Sequence, residues 1–209
     1  MSTLIRAARA LFLAVPLLLA AAPPVQAKQR DETPWLYRGS DVPQDKEWHF
    51  GELSNGLRYA VRRNGVPPGQ VTIRIRMDVG SLYEADSERG FAHLIEHLVF
   101  RQSKYLGEAQ AIPTWQRLGA TFGNDTNAET TPTQTVYKLD LPNATAKGLE
   151  ESFKLLSGMM SAPTLSEANV RTEVPIVLAE RRERGGAGGR VQEAMQATLY
   201  ARQRRADRL

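Results

Sequence analysis

His93-Leu94-Ile95-Glu96-His97 places two imidazoles and a carboxylate within five residues, in a chain that has three histidines in all. Helical spacing sets residues i and i+4 on one face, so His93 and His97 can both turn toward a single metal ion. Glu96, three residues after His93, borders that face and can reach a water held there. Neutral imidazole suits zinc, which in catalytic sites takes three protein ligands and keeps one position for water. Zinc lowers the pKa of such a water from 15.7 to about 7, and a neighbouring carboxylate can then take its proton and pass it to a leaving amine. Glu96 is the natural candidate for that carboxylate. The plainer reading of a histidine on an apolar helix is a satisfied core residue, and a third ligand separates the two.

Two acids further along can supply it. The segment from Arg171 to Glu183 carries Glu173 and Glu180 seven residues apart. Positions i and i+7 return to the same helix face, so both acids can approach the histidine helix. Glu173 read alone is equally an ordinary helix-surface acid. Pro175 lies between the two acids, removes one backbone hydrogen bond and is expected to kink the helix there.

The elements that must position these groups follow from periodicity and punctuation. Leu57–Arg63 reads as a strand after the Asn55-Gly56 turn, and Val71–Val79 alternates strictly, as a half-buried strand does. The acidic loop from Glu84 to Gly90 leads into the histidine helix, expected over 91–102, and a second helix is expected over 108–118. Two further strands are expected at Thr121–Ala128 and Thr135–Leu141, around a turn at 130–133, with Pro142 as a stop. Ala144–Met160 has apolar residues at helical spacing, and Ser166 caps a helix reaching about Arg184. Gly185–Gly189 reads as a flexible break before a last helix over 191–205. Strand pairs alternating with helix pairs predict a two-layer α+β domain, its helices on one face of a largely antiparallel sheet.

Composition narrows the setting. Arg6 and Arg9 precede an apolar run from Ala10 to Ala22, and Val25 and Ala27 complete a small-x-small end. That is the pattern of a cleavable secretory leader, with cleavage expected after Ala27. The run is short and broken by Pro16, so no stable membrane anchor is expected. The chain has no cysteine, which excludes a disulfide framework and thiolate ligands and suits the bacterial periplasm. The net charge of +4 includes the two leader arginines, and the arginines near the C-terminus alternate with Glu180, Glu183 and Glu193. They read as solvated helix faces, with no nucleic-acid partner expected.

The pentad together with its flanks resembles the N-terminal half of a pitrilysin/insulinase-family zinc peptidase, the inverzincin group that includes the mitochondrial processing peptidase. The resemblance extends to Leu53–Arg58 as an opening strand and to Val79-Gly80-Ser81 with Gly90-Phe91-Ala92 before the motif helix. Asn127–Thr130 and Thr135-Val136-Tyr137 resemble an edge-strand segment, so the likeness covers about 50–205. It implies a metallohydrolase half of the LuxS/mitochondrial-processing-peptidase type, with residues 28–48 an extended lead-in and 49–209 the peptidase domain. His93 and His97 become Zn2+ ligands and Glu96 the general base. Family spacing from the second histidine lands nearer Glu173, whereas the paired acids put the ligand second, at Glu180. Residues 122–126 look like an insertion that lengthens the gap, so the resemblance assigns Glu180 as the third ligand. Glu173 becomes the supporting catalytic carboxylate.

Asn127 and Ala128 become a substrate-binding edge on which a peptide adds as a strand. Their plainer reading is an ordinary strand with a turn-favouring Asn. The implied function is zinc metalloendopeptidase cleavage of small or unfolded peptides, completed by a second homologous half. The chain stops inside what the resemblance implies is a continuing domain, and reads as truncated. The alternative is a non-catalytic partner half that binds zinc or holds structure.

Overall fold

The computed structural model describes residues 41–207, so the expected leader and most of the lead-in lie outside the described residues. Two compact units divide between Arg63 and Asn64.

Among the described residues, the first unit contains a hairpin. Strands β1 (Trp48–Glu52) and β2 (Arg58–Arg62) pair antiparallel, with Trp48 opposite Arg62 and Glu52 opposite Arg58. The Asn55-Gly56 turn closes it: Gly56 sits at φ 84°, a left-handed conformation glycine adopts freely, and Leu53 N–H donates to Leu57 O at 2.9 Å. The Tyr59 ring lies across Gly51, in the space that a Cβ there would take. Glu52 ends the short Trp48/Phe50 alternation, and the opening strand that the resemblance set at Leu53–Arg58 falls instead on the turn joining β1 to β2 and the first residue of β2.

The second unit holds a three-stranded antiparallel sheet in the order β3-β5-β4. Strand β3 spans Val71–Met77, β4 spans Thr126–Thr130 and β5 spans Thr135–Leu141. The central strand buries every second residue, Thr135, Tyr137, Leu139 and Leu141, as an alternating pattern requires. Val71, Ile73 and Ile75 of β3 join that face. The opposite face is polar, with Arg74 donating to Asp140 at 2.7 Å across the β3–β5 pair.

The α-helices among the described residues are α1 (Phe91–Arg101) and α2 (Ala111–Arg117), between β3 and β4, and α3 (Ala146–Ser161), α4 (Glu167–Arg184) and α5 (Ala187–Leu199), after β5. Val99 of α1, Trp115 of α2, and Leu155, Leu156 and Met159 of α3 pack with Tyr137, Leu139 and Leu141 into one core. Trp115 and Met159 are fully buried, and removing each apolar side chain from water stabilises the fold by on the order of 2–3 kcal/mol. The result is the expected α+β architecture, with helices packed on one face of an antiparallel sheet.

Differences from expectation have local causes. Residues 121–125 form a turn, and the strand starts at Thr126. Asp125 Oδ2 accepts from Thr121 N–H at 2.8 Å, and Gly123 takes φ 90°. The glycine break is confined to Gly185 and Gly186, which end α4 and begin α5. Gly188 and Gly189 lie within α5. The last helix ends at Leu199, and Arg202 beyond it has φ 68°. Helix α4 runs continuously through Pro175.

Candidate metal centre

Helix α1 begins at Gly90, whose φ of 94° turns the chain sharply into the helix. Gly90 has no side chain to cap the first turn, and Glu84 from the preceding loop serves instead. Its carboxylate accepts from Gly90 N–H at 3.0 Å and from Ala92 N–H at 2.8 Å. A buried carboxylate at a helix N-terminus satisfies orphan donors and meets the positive end of the helix dipole. The loop reaches this place because Gly80 lies against the β4–β5 turn, where a Cβ would collide with Thr131 O. Leu82 N–H then donates to Pro132 O at 2.9 Å.

From this fixed start, His93 and His97 rise one turn apart on the face toward α4, their ring centroids 4.9 Å apart and nearly perpendicular. Helix α4 is set by Ser166, whose hydroxyl accepts from Asn169 N–H at 3.2 Å as the expected cap. Glu180 Oε2 lies 3.3 Å from His93 Nε2 and 3.8 Å from His97 Nε2. Ligand atoms of the three residues all fall within 4.8 Å of one another, the one such group of His and acidic side chains among the described residues. Ligands held at about 2.1 Å around a tetrahedral zinc stand about 3.4 Å apart, close to these spacings.

Glu180 Oε2 supports the same fit. The atom is buried and accepts no hydrogen bond, although Arg184 Nη2 lies 3.4 Å away. Arg184 offsets part of that charge, and an ion among the three ligand atoms would meet the oxygen directly. Burial also holds the His93 imidazole below its ordinary pKa, outweighing the attraction of Glu96 and Glu180. The ring is therefore neutral at neutral pH, with its lone pair free for a metal.

Glu173 takes a different place. One carboxylate oxygen lies 3.4 Å from His97 Nδ1, and the other accepts from Arg101 Nη1 at 3.0 Å. It thus stands behind His97 and not beside Glu180. Glu96 borders the histidine face and points from α1 toward the sheet. It is buried, and Thr130 Oγ1 of β4 donates to its Oε2. Thr130 Oγ1 is also 3.3 Å from Thr135 Oγ1, which donates to Val79 O at 2.9 Å. Burial, with the Glu96 charge adding to it, pushes the Tyr137 hydroxyl well above its usual pKa.

A cleft of about 280 Å³ is lined by His93, Glu96, Glu84, Arg184, the end of β4 from Ala128 to Thr130, and Thr131 beyond it. Ala128 therefore faces the same space as the motif. Asn127 is turned to its own strand: its Oδ1 accepts from Ala128 N–H at 2.9 Å and its Nδ2 donates to Gly123 O at 3.4 Å. Strand β4 is an edge of its sheet, the position from which an added peptide strand can pair.

Spacing alone did not single out Thr130, Glu84 or Arg101. Glu84 carried the one readable signal, an acid shortly before a helix start. Thr130 meets Glu96 across 34 positions, and no local pattern records such a pairing.

Comparison with known proteins adds the family. The probable zinc protease PqqL of Escherichia coli is 34% identical over 167 residues, covering 80% of this chain and 18% of the relative. Its Haemophilus influenzae counterpart is 37% identical over 149 residues, covering 71% of this chain and 16% of the relative. The crystal structure of the periplasmic protease PqqL from Escherichia coli superposes with a TM-score of 0.76, over 80% of this chain and 18% of that one. A crystal structure of the first half of that protease gives the same TM-score of 0.76 and is covered to 36%. The chain thus spans less than a fifth of the length of these curated relatives. Insulinase (Peptidase family M16) matches residues 60–209, a stretch containing α1, α4 and the whole three-stranded sheet, and the chain belongs to that family.

Proposed function

We propose that this chain carries the zinc-binding half of a metalloendopeptidase that hydrolyses small or unfolded peptides. The observation that carries the proposal is the convergence of His93 Nε2, His97 Nε2 and Glu180 Oε2, with that oxygen buried and without a donor. His93, His97 and Glu180 would hold the ion. Zinc, when bound, supplies Lewis acidity toward a water and a peptide carbonyl.

The chain's own residues account for the remaining chemistry. Glu96 removes the proton of the attacking water and returns it to the leaving amine, in an orientation held by Thr130. The walls of the cleft, Glu84 and Gly90 on one side and Ala128 to Thr131 on the other, confine the reacting bond. A peptide adds along the edge of β4, contacting Asn127 and Ala128 through its backbone, which suits loose sequence preference. Glu173 holds the far nitrogen of His97.

A second homologous half completes the site by closing on the peptide. The likeness to the first half of a longer protease supports that arrangement. Export by a leader cleaved after Ala27 places the enzyme in the periplasm, the compartment of the Escherichia coli relative.

Zinc content and cleavage of an unstructured peptide, measured on the complete protein and its Glu96→Gln variant, test the reading. Glu96→Gln should keep its zinc and lose cleavage by ~10²–10⁴-fold. Zinc without cleavage in the unaltered complete protein would instead make the chain a zinc-binding partner half.

A further inference from the structure

Arg101 ends α1, one turn beyond His97, and its side chain is 18% exposed. Three of its nitrogens are committed to three different residues. Nε donates to Asn169 Oδ1 at 2.9 Å, Nη1 to Glu173 Oε1 at 3.0 Å and Nη2 to Glu108 Oε1 at 2.8 Å. Asn169 and Glu173 are one turn apart on α4, and both are buried. The Asn169 amide cannot swing away, because its Nδ2 donates to Thr164 O at 2.9 Å and to Gln102 Oε1 at 3.1 Å. Its oxygen is therefore aimed at the guanidinium.

These contacts form a ladder between the two helices. Arg101 meets Asn169 and Glu173, His97 meets Glu173 and Glu180, and His93 meets Glu180. The first rung sets the height and rotation of α4 against α1, and hence where Glu180 arrives. It also divides the work of Glu173, whose Oε1 is taken by Arg101 while Oε2 faces His97 Nδ1. With Nδ1 engaged on that side, Nε2 is presented to Glu180. A planar fork can serve Asn169 and Glu173 together, whereas a single ammonium cannot.

We propose that Arg101 is a positioning residue of the metal site: by clamping Glu173 and Asn169 it orients His97 and places Glu180 for zinc binding. This rests on the reading that His93, His97 and Glu180 hold the ion.

The test is the zinc dissociation constant of the complete protein, measured by competition with a chromophoric chelator, alongside its melting curve. Arg101→Met keeps the apolar stem and removes the fork. It should weaken zinc binding by ~10–100-fold, the range for loss of an outer partner of a metal ligand. Glu173→Gln should weaken it comparably, and the double variant should be no weaker than the worse single one, since both remove one coupled unit. Arg101→Lys should fall between Arg101→Met and the unaltered protein.

Wild-type zinc affinity in Arg101→Met, with a weakened Glu173→Gln, would show a merely structural arginine and overturn the proposal. If Arg101→Met fails to fold, Arg101→Lys decides alone, and unchanged affinity there overturns it equally. Absence of zinc from the unaltered protein would instead sink the metal-site reading beneath it.

Discussion

Thr130 gives Glu96 its direction. Its hydroxyl donates to one carboxylate oxygen while leaning on Thr135, which is anchored on Val79 O. Thr130→Val keeps the shape and removes the donor, leaving a buried carboxylate oxygen unpartnered at a cost of about 1–3 kcal/mol. Zinc binding should be unchanged, and peptide cleavage by the complete protein should fall by roughly 10-fold, as expected for about 1.4 kcal/mol of lost orientation. Zinc analysis beside a turnover assay checks this, and unchanged turnover would contradict it. At this scale the sequence showed the residue types and hid their partners. The His93/His97 pair was legible because helical spacing is local and chemically restrictive, whereas spacing left Glu173 and Glu180 both open and only the family resemblance singled out Glu180. The threonine behind Glu96 and the arginine behind Glu173 were not, since their partners lie 34 and 72 positions away.

The elements divide according to how far local rules suffice. Strand β5 was read to its ends because its alternation is strict and Pro142 stops it, and α4 because Ser166 caps it. Strand β4 was placed too early, because the Asp125 side chain and Gly123 build a turn in residues that otherwise read as extended. Strand β1 was missed, since only Trp48 and Phe50 alternate before Glu52, and Gly51 brings no side chain to its other face. Helix α1 depends on a cap outside itself. Glu84→Ala removes the acceptor for Gly90 and Ala92 N–H and should cost about 1–3 kcal/mol in stability. Denaturant unfolding measures this, and a loss below about 0.3 kcal/mol would mean that water replaces Glu84 freely.

Across the whole molecule, the site is an agreement between two helices more than 60 residues apart, α1 resting on the sheet through Val99 and α4 laid beside it. An ion bound to His93, His97 and Glu180 would join those helices, so the α1–α4 packing and the metal chemistry stand or fall together. The chain spans a small part of its relatives' length, and on the proposed reading a second half would add substrate closure while this one would supply the ligands. The most direct measurement is therefore the zinc content of the purified chain, unaltered and with Glu180→Ala, after equal exposure to zinc and gel filtration. The account predicts one zinc per unaltered chain and loss of most of it in Glu180→Ala, with the fold retained by circular dichroism. Full zinc occupancy in Glu180→Ala would contradict it.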